Sequence, residues 1–511
     1  MPVNRTLATG ADAAGPTPVE LGRVRLPCRL TPAQVLDALA EAGEPLPFAL
    51  VGSWAGGGAI VGADPLRVAE ASDDPFAILD DLPAPATQPA PATQPAPAPQ
   101  PAPATQPAPA TQPAPTAQPA PADGDPPPPS AVGGGWFGWL GYRLAARVER
   151  VPLTAHRPVA LPEFHLAYYD NVLRLDADGT WWFEALVSDD RRRALEVRLR
   201  RLREMLGRVS PAAAPHRAGS SPGPLRLTAA RADHHVQAVA ECRARIAAGE
   251  IFQANICLRL DGPCEETPVT LMTRALQDLA PPFAAAFSTP DGGIVSLSPE
   301  LFLRRRGRHV VTGPIKGTAP RDPSPALATA ALERLQRSEK DAAEHVMIVD
   351  LMRNDLGRVC EYGSIVAPRR PAAEAHPGVW HLVSHVRGRL RPTVGNGELL
   401  RATFPPGSVT GAPKVQSLRV IAELEPAGRE VYTGAVGFAS PLAGLELNVA
   451  IRTVELGAGR MWLGAGGGIV ADSDPRAELE EALTKARPIA AALGTSVLVE
   501  TGGAHHVWRA A

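Results

Sequence analysis

From Pro83 to Pro129 the chain cycles through Pro, Ala, Thr and Gln without one large apolar side chain, and this stretch decides where a core can form. A segment with nothing to bury cannot offset the entropy of ordering its backbone. The reading for residues 83–130 is therefore a disordered insertion with polyproline II leanings, and any fold must come from its flanks.

Both flanks carry short strands. Pro47–Trp54 and Ala59–Gly62 read as two strands about a Gly-rich turn, and Gly135–Tyr142, His165–Tyr169, Val172–Leu175 and Trp181–Leu186 continue the pattern beyond the insertion. Residues 1–82 and 131–210 are thus expected to be two parts of one β-rich N-terminal region. A helical pattern over Asp190–Val209 closes it, and the Pro/Gly/Ser-rich residues 211–224 read as a linker. Residues 225–495 alternate helices and strands without the regular period of a doubly wound sheet. An α+β domain with large sheets and helical cover fits them, with 496–511 as a tail.

The 51 basic and 53 acidic residues leave a formal charge of −2, which gives no field to steer the chain to nucleic acid or an anionic membrane. A small-molecule substrate is expected. Cys28, Cys242, Cys257, Cys264 and Cys360 form no CxxC pair, which suits a reduced, cytoplasmic compartment. No apolar run approaches the roughly 18 residues of a membrane span, and the N-terminus shows no signal-peptide pattern.

Chemistry concentrates after residue 225. Lys316, in Thr312-Gly313-Pro314-Ile315-Lys316-Gly317-Thr318, follows a strand-like run and sits among residues that break regular structure, so a tight loop at a sheet edge is expected. There a lysine amine with a lowered pKa can act as a nucleophile. Glu300 follows Pro299 between strand-like runs, where a carboxyl with a raised pKa can protonate a leaving group. Glu344 lies on an expected, mostly buried helix. Glu478 and Glu481 follow the N-cap pair Asp474-Pro475 and share a helical face with Lys485. If the two helices approach, Glu344 and Glu481 could share Mg²⁺; taken singly, each glutamate reads as a solvated surface group.

The Pro405–Lys414 segment and the Gly466-Gly467-Gly468 run offer backbone amides to an anion. Arg452, on an expected apolar strand, would serve either a structural salt bridge or a substrate carboxylate. Walker, HExxH and GxSxG signatures are absent, so their chemistries lack support.

Taken in order, Gly249–Asn255, Ser298–Glu300, Pro314–Thr318, Glu344–Asp355, Pro406–Lys414 and Gly466–Val470 resemble the chorismate-utilising enzymes across nearly the whole of residues 225–495. The N-terminal region matches more loosely, through Gly62–Pro65 and Gly138–Tyr142. The resemblance implies two large, mainly antiparallel sheets packed together with helices outside. It implies Glu344 and Glu481, with Glu478 beside them, as Mg²⁺ ligands, Lys316 as the nucleophile and Glu300 as the general acid. It also implies that Gln253, Thr318, His381, Thr410, Gly411, Ala412, Arg452, Gly466, Gly467, Gly468 and Lys485 hold chorismate.

Within the family, anthranilate synthases usually have Ala at the position of Lys316, and isochorismate and salicylate synthases a lysine at that of Gln253. The pair found here implies amination at C4 to give 4-amino-4-deoxychorismate, with anthranilate as the alternative product. With no amidotransferase domain at either end, glutamine use implies a separate glutaminase subunit. Relatives that bind tryptophan do so near a Leu-Leu-Glu-Ser segment; Leu50-Val51-Gly52-Ser53 lacks that glutamate, so strong feedback inhibition is not expected. A non-catalytic binding protein that docks through the Pro-rich stretch is the reading from another class.

Overall fold

The computed structural model describes residues 18–84, 129, 131–154, 156–159, 161–211, 221–321, 324–376 and 379–500. Alternation of side chains along its strands explains the layering. Phe48 and Leu50 point into one core with Phe283, Ala285 and Phe287, while their neighbours Ala49, Ala284 and Ala286 point the opposite way into another. A strand with both faces apolar must be covered on both sides, here by a second sheet on one and helices on the other.

Among the described residues the larger sheet has 13 strands. From one edge the order is Glu20–Leu26, Trp181–Val187, Asn171–Leu175, Gly58–Gly62, Phe48–Gly52, Phe283–Thr289, Gly292–Ser298, Thr453–Gly457, Arg460–Ile469, Gln253–Pro263, Leu225–Leu227 and Val497–Val499. The short strand Gly411–Ala412 adds to Gln253–Pro263. A second sheet of eight strands runs Val386–Arg389, His309–Gly313, Leu301–Arg306, Gly444–Val449, Ala435–Ser440, Gly135–Leu140, Phe164–Tyr169 and Arg67–Val68. Pairing is antiparallel except between Leu225–Leu227 and Val497–Val499. The resemblance implied this α+β arrangement of two large, mainly antiparallel sheets, and the structure has it.

Aromatic rings fill the space between the sheets. Phe48 meets Phe137 at a centroid distance of 4.6 Å, and Phe137 meets Phe438 at 5.5 Å. Each buried ring contributes about 2 kcal/mol by area alone. Outside the larger sheet lie the helices Pro32–Glu41, Pro268–Asp278 and Pro475–Ala492, whose apolar faces join one core. The helices Glu339–Gly357 and Asn396–Thr403 cover the second sheet through Ile348, Met352, Leu356, Leu399 and Leu400.

Strands from both sides of the Pro-rich stretch interleave in the larger sheet, and strands from both sides of residues 211–224 share both sheets. The two ends of the stretch are tied to neighbouring strands. Val19 N donates to Ala84 O at 3.0 Å, and Arg174 Nη2 donates to Pro129 O at 3.1 Å. Residues 85–128 and 130, and 212–220 of the expected linker, lie outside the described residues. No helix among the described residues is long and apolar enough to cross a membrane, and all five cysteines are free thiols.

One element has no counterpart in the sequence reading. A small third sheet, Ile315–Pro320, Val379–Val383 and Ala372–His376, carries Lys316 on its edge strand.

Candidate active site

Lys316 sits in a strand, where a loop was expected, and the difference has a local cause. Ile315 pairs with Val383 and Thr318 with His381, so two residues, Lys316 and Gly317, span a gap in the register. Such a bulge re-aims side chains, and Gly317 has φ +85°, a conformation that glycine adopts without strain. Lys316 is largely buried, with its Nζ 3.9 Å from Glu344 Oε2. Burial lowers its pKa, the charge of Glu344 opposes that shift, and Lys485 adds to it. The shift eases loss of the proton that masks the amine as a nucleophile.

Glu300 is only 4% exposed. Burial pushes its carboxyl up to about 7, against the opposing pull of a hydrogen bond from the Ser408 hydroxyl, the Lys316 charge, the Ile315 amide and the Arg452 charge. The carboxyl therefore keeps a proton near neutrality and can donate it. Arg452 lies at a bend between Gly444–Val449 and Thr453–Gly457, which corrects the expectation of a strand. Its φ is +50°, a costly conformation for a side-chain-bearing residue and one that collects at functional sites. Burial lowers its pKa and Glu300 opposes that effect, while no described carboxylate forms an ion pair with it.

Gln253 is fully buried at the start of Gln253–Pro263, and neither its Nε2 nor its Oε1 has a hydrogen-bond partner. Its amide and the Lys316 amine both lie over Gly468: a Cβ there would stand 2.0 Å from Gln253 Nε2 and 3.2 Å from Lys316 Nζ. The glycine is what keeps this space open. Across the bulge, Thr318 Oγ1 lies 3.0 Å from His381 Nδ1. Burial drives the His381 pKa down to about 3, so the ring is neutral, and its Nε2 has no protein partner.

The helix Pro475–Ala492 begins as its sequence predicts, with Asp474 accepting from the amides of Arg476 and Ala477. It presents Glu478, buried and bonded to Ser473 Oγ at 2.6 Å, and Glu481, which pairs with Lys485 at 2.9 Å. Lys485 also donates to Gly466 O at 2.9 Å. Opposite Gly467, a Cβ would stand 2.9 Å from Glu478 Oε2 and 3.8 Å from Glu481 Oε1. Glu344 comes from the Glu339–Gly357 helix, which is one-sided and not mostly buried: Val346 is 59% exposed, whereas Ile348 and Met352 are in the core. Glu344 and Glu481 both act on the Lys316 amine. Among the described residues no three potential ligands converge into a metal-chelating group. The hard carboxylate oxygens do fit Mg²⁺, which takes one or two protein carboxylates and completes its shell with water and substrate.

The Pro405–Pro413 segment folds back on the Glu339–Gly357 helix as a turn of 3₁₀ helix, Gly407–Val409. Thr410 Oγ1 donates inside this segment, to the carbonyls of Pro406 and Gly407, and its backbone amide, which the sequence reading offered to an anion, donates to Gly407 O at 3.2 Å. Gly411 and Ala412 pair with Ala254 and Gln253. The glycine run likewise lies in a strand, with Gly466, Gly467 and Gly468 opposite Cys257, Ile256 and Asn255. Ser408 and the Ile315 amide, both bonded to Glu300, were not among the residues singled out. Ser408 stood inside a quoted motif, but nothing in the sequence aims its hydroxyl.

Comparison with protein families matches residues 84–491, most of the chain, to the chorismate binding enzymes. The chain belongs to that family. It is 37% identical over 369 residues to aminodeoxychorismate synthase component 1 of Salmonella typhimurium, covering 71% of this chain and 78% of that one. Over 374 residues it is 39% identical to anthranilate synthase component 1 of Streptomyces coelicolor, covering 70% and 73%. Among solved structures, anthranilate synthase component I from Streptococcus pneumoniae superposes with a TM-score of 0.66 at 23% identity, over 96% of this chain and 95% of that one. The isochorismate synthase MenF of Escherichia coli gives 0.63 at 17% identity, over 94% and 96%. These two likenesses establish the fold.

This chorismate binding enzyme contains only four lysines, Lys316, Lys340, Lys414 and Lys485, against 47 arginines. Three of them stand at or beside the site. At Lys316, whose pKa burial lowers, an amine can lose its proton, which a guanidinium does not do.

Proposed function

We propose that the protein converts chorismate and ammonia to 4-amino-4-deoxychorismate, as a component I of aminodeoxychorismate synthase. The observation that carries this reading is the pairing of a buried, pKa-lowered Lys316 amine with a Glu300 carboxyl that titrates at about 7. In the proposed reaction, the neutral Lys316 amine bonds to C2 of chorismate as both ring double bonds shift and the C4–O bond breaks. Glu300 gives its proton to the departing hydroxyl, which leaves as water. Ammonia then bonds to C4, both double bonds return and Lys316 is expelled from C2. The surplus proton of the new ammonium passes back to Glu300, so both groups end as they began.

Gln253, Thr318, His381, Thr410, Gly411, Ala412, Arg452, Gly466, Gly467, Gly468 and Lys485 would hold the substrate. Mg²⁺ held by Glu344 and Glu481, with Glu478 beside them, would supply positive charge to a substrate carboxylate. An amide at Gln253 supports ammonia over water as the nucleophile, since an amide cannot act as the base that water needs. A separate glutaminase subunit would deliver the ammonia, and the cytoplasm would be the setting.

Incubation of purified protein with chorismate, Mg²⁺ and ammonium, with the product identified by mass and fluorescence, tests the proposal. Aminodeoxychorismate is expected; Lys316→Ala should abolish most of it and leak toward anthranilate. Wild-type anthranilate formation would favour the second reading, which the Streptomyces coelicolor relative supports and Lys316 opposes.

A further inference from the structure

Lys414 carries the one amine near the site whose hydrogen-bonding capacity is fully used. Its Nζ donates to Asp355 Oδ2 at 2.5 Å, Thr403 O at 2.7 Å and Pro405 O at 3.0 Å, which accounts for all three protons of an ammonium. Both side chains are buried, Lys414 at 11% and Asp355 at 5% exposure. An ammonium so satisfied has nothing left for a ligand, and its neighbours indicate what it does instead.

Thr403 and Pro405 are where the Pro405–Pro413 segment begins, and Lys414 is where it ends, so one ammonium ties entry to exit. Asp355 fixes that knot to the Glu339–Gly357 helix, three turns beyond Glu344 and on the same face. Between the ends, the segment lies directly on this helix: a Cβ on Gly407 would stand 2.2 Å from Met352 Cε and 2.8 Å from Leu351 Cδ2. From the other side, the buried Arg429 guanidinium donates to Val409 O at 2.9 Å. Between Gly407 and Val409 stands Ser408, whose hydroxyl bonds Glu300.

We propose that the Lys414–Asp355 ion pair is a positioning clamp, which never touches substrate but holds the Ser408 hydroxyl on Glu300 and so governs the acid's readiness to give up its proton. The inference rests on the proposed role of Glu300. Ser408, the Ile315 amide, Lys316 and Arg452 are the groups that act on this carboxyl to favour its charged form. Loss of the hydroxyl from that set moves the Glu300 titration to higher pH.

Four variants test the clamp: Lys414→Met, Asp355→Asn, Ser408→Ala and Ser408→Thr. Expected for the first three is a fall in kcat of about ten-fold with KM for chorismate changed less than about two-fold, and an alkaline limb moved to higher pH. Ser408→Thr, which keeps a hydroxyl, should restore the wild-type profile. Lys414→Met should add nothing further in a Ser408→Ala background, because both remove the same contact. Additive losses, or an unmoved limb in Lys414→Met, would overturn the proposal and leave a structural strut. If Lys414→Met does not fold, Asp355→Asn, which preserves size and one acceptor, carries the same readings. If the wild type makes no aminodeoxychorismate, the proposed function fails first. The clamp is then read from the pH dependence of thermal stability, which Glu300 also sets: an unchanged dependence in Asp355→Asn and Ser408→Ala would overturn it.

Discussion

At the scale of single residues, Glu300 ties stability to pH in a direction that can be worked out. Its folded-state pKa of about 7 exceeds the ordinary 4.5, so the folded state holds this proton more tightly than the unfolded chain does. The resulting stability is fully present below about pH 4.5 and is lost as pH rises through 7. The difference corresponds to about 3 kcal/mol. Glu300→Gln should thus be nearly neutral in Tm at pH 4, gain on the wild type as pH rises to 8, and lack catalytic activity throughout. A Tm gap that does not vary with pH would contradict the buried carboxyl. Gln253 makes the opposite kind of case, for a buried amide with no partner costs about 1–3 kcal/mol. Gln253→Leu should keep or raise Tm while chorismate turnover falls steeply, which thermal melts alongside steady-state kinetics would show. Lys316 and Glu300 could be singled out in the sequence because each stands beside residues that interrupt regular structure. The partners that tune them, Ser408 and the Ile315 amide, could not, because side-chain direction and tertiary approach leave no mark on spacing.

At the scale of elements, the bulge at Lys316-Gly317 and the glycines facing it set the shape of the site. Gly317→Ala would place a Cβ at φ +85°, at a cost of about 1 kcal/mol, and would turn Lys316 away from Gly468. The expected result is a small loss of Tm and a large loss of kcat. Gly468→Ala should leave secondary structure intact but block the site, because its Cβ would meet Gln253 and Lys316; chorismate binding measured by calorimetry should disappear. The strands of the two large sheets were legible because Phe, Val, Leu and Trp alternate or cluster between glycine turns. Ala372–His376, reading Ala-Ala-Glu-Ala-His, has no such pattern and becomes a strand only through its partner Val379–Val383. The same limit explains Arg452, where the apolar run that suggested a strand ends in a bend.

At the scale of the whole molecule, the sheets join segments far apart in sequence. Phe283–Thr289 pairs with Phe48–Gly52, and Ala435–Ser440 with Gly135–Leu140. Residues 225–500 expressed alone would therefore bare two central strands, and we expect insoluble protein, whereas the full chain should unfold in one calorimetric transition. Replacing residues 85–128 with a ten-residue linker joins ends already tied to neighbouring strands. It should change stability by about 1 kcal/mol at most and leave turnover intact; a marked loss of either would give the stretch a role of its own. The scarcity of lysine has a practical side. Protein grown with isotope-labelled lysine would give an NMR spectrum of only four side-chain signals, three of them from in or around the active site, so the ionisation of Lys316 could be followed directly as chorismate and Mg²⁺ are added.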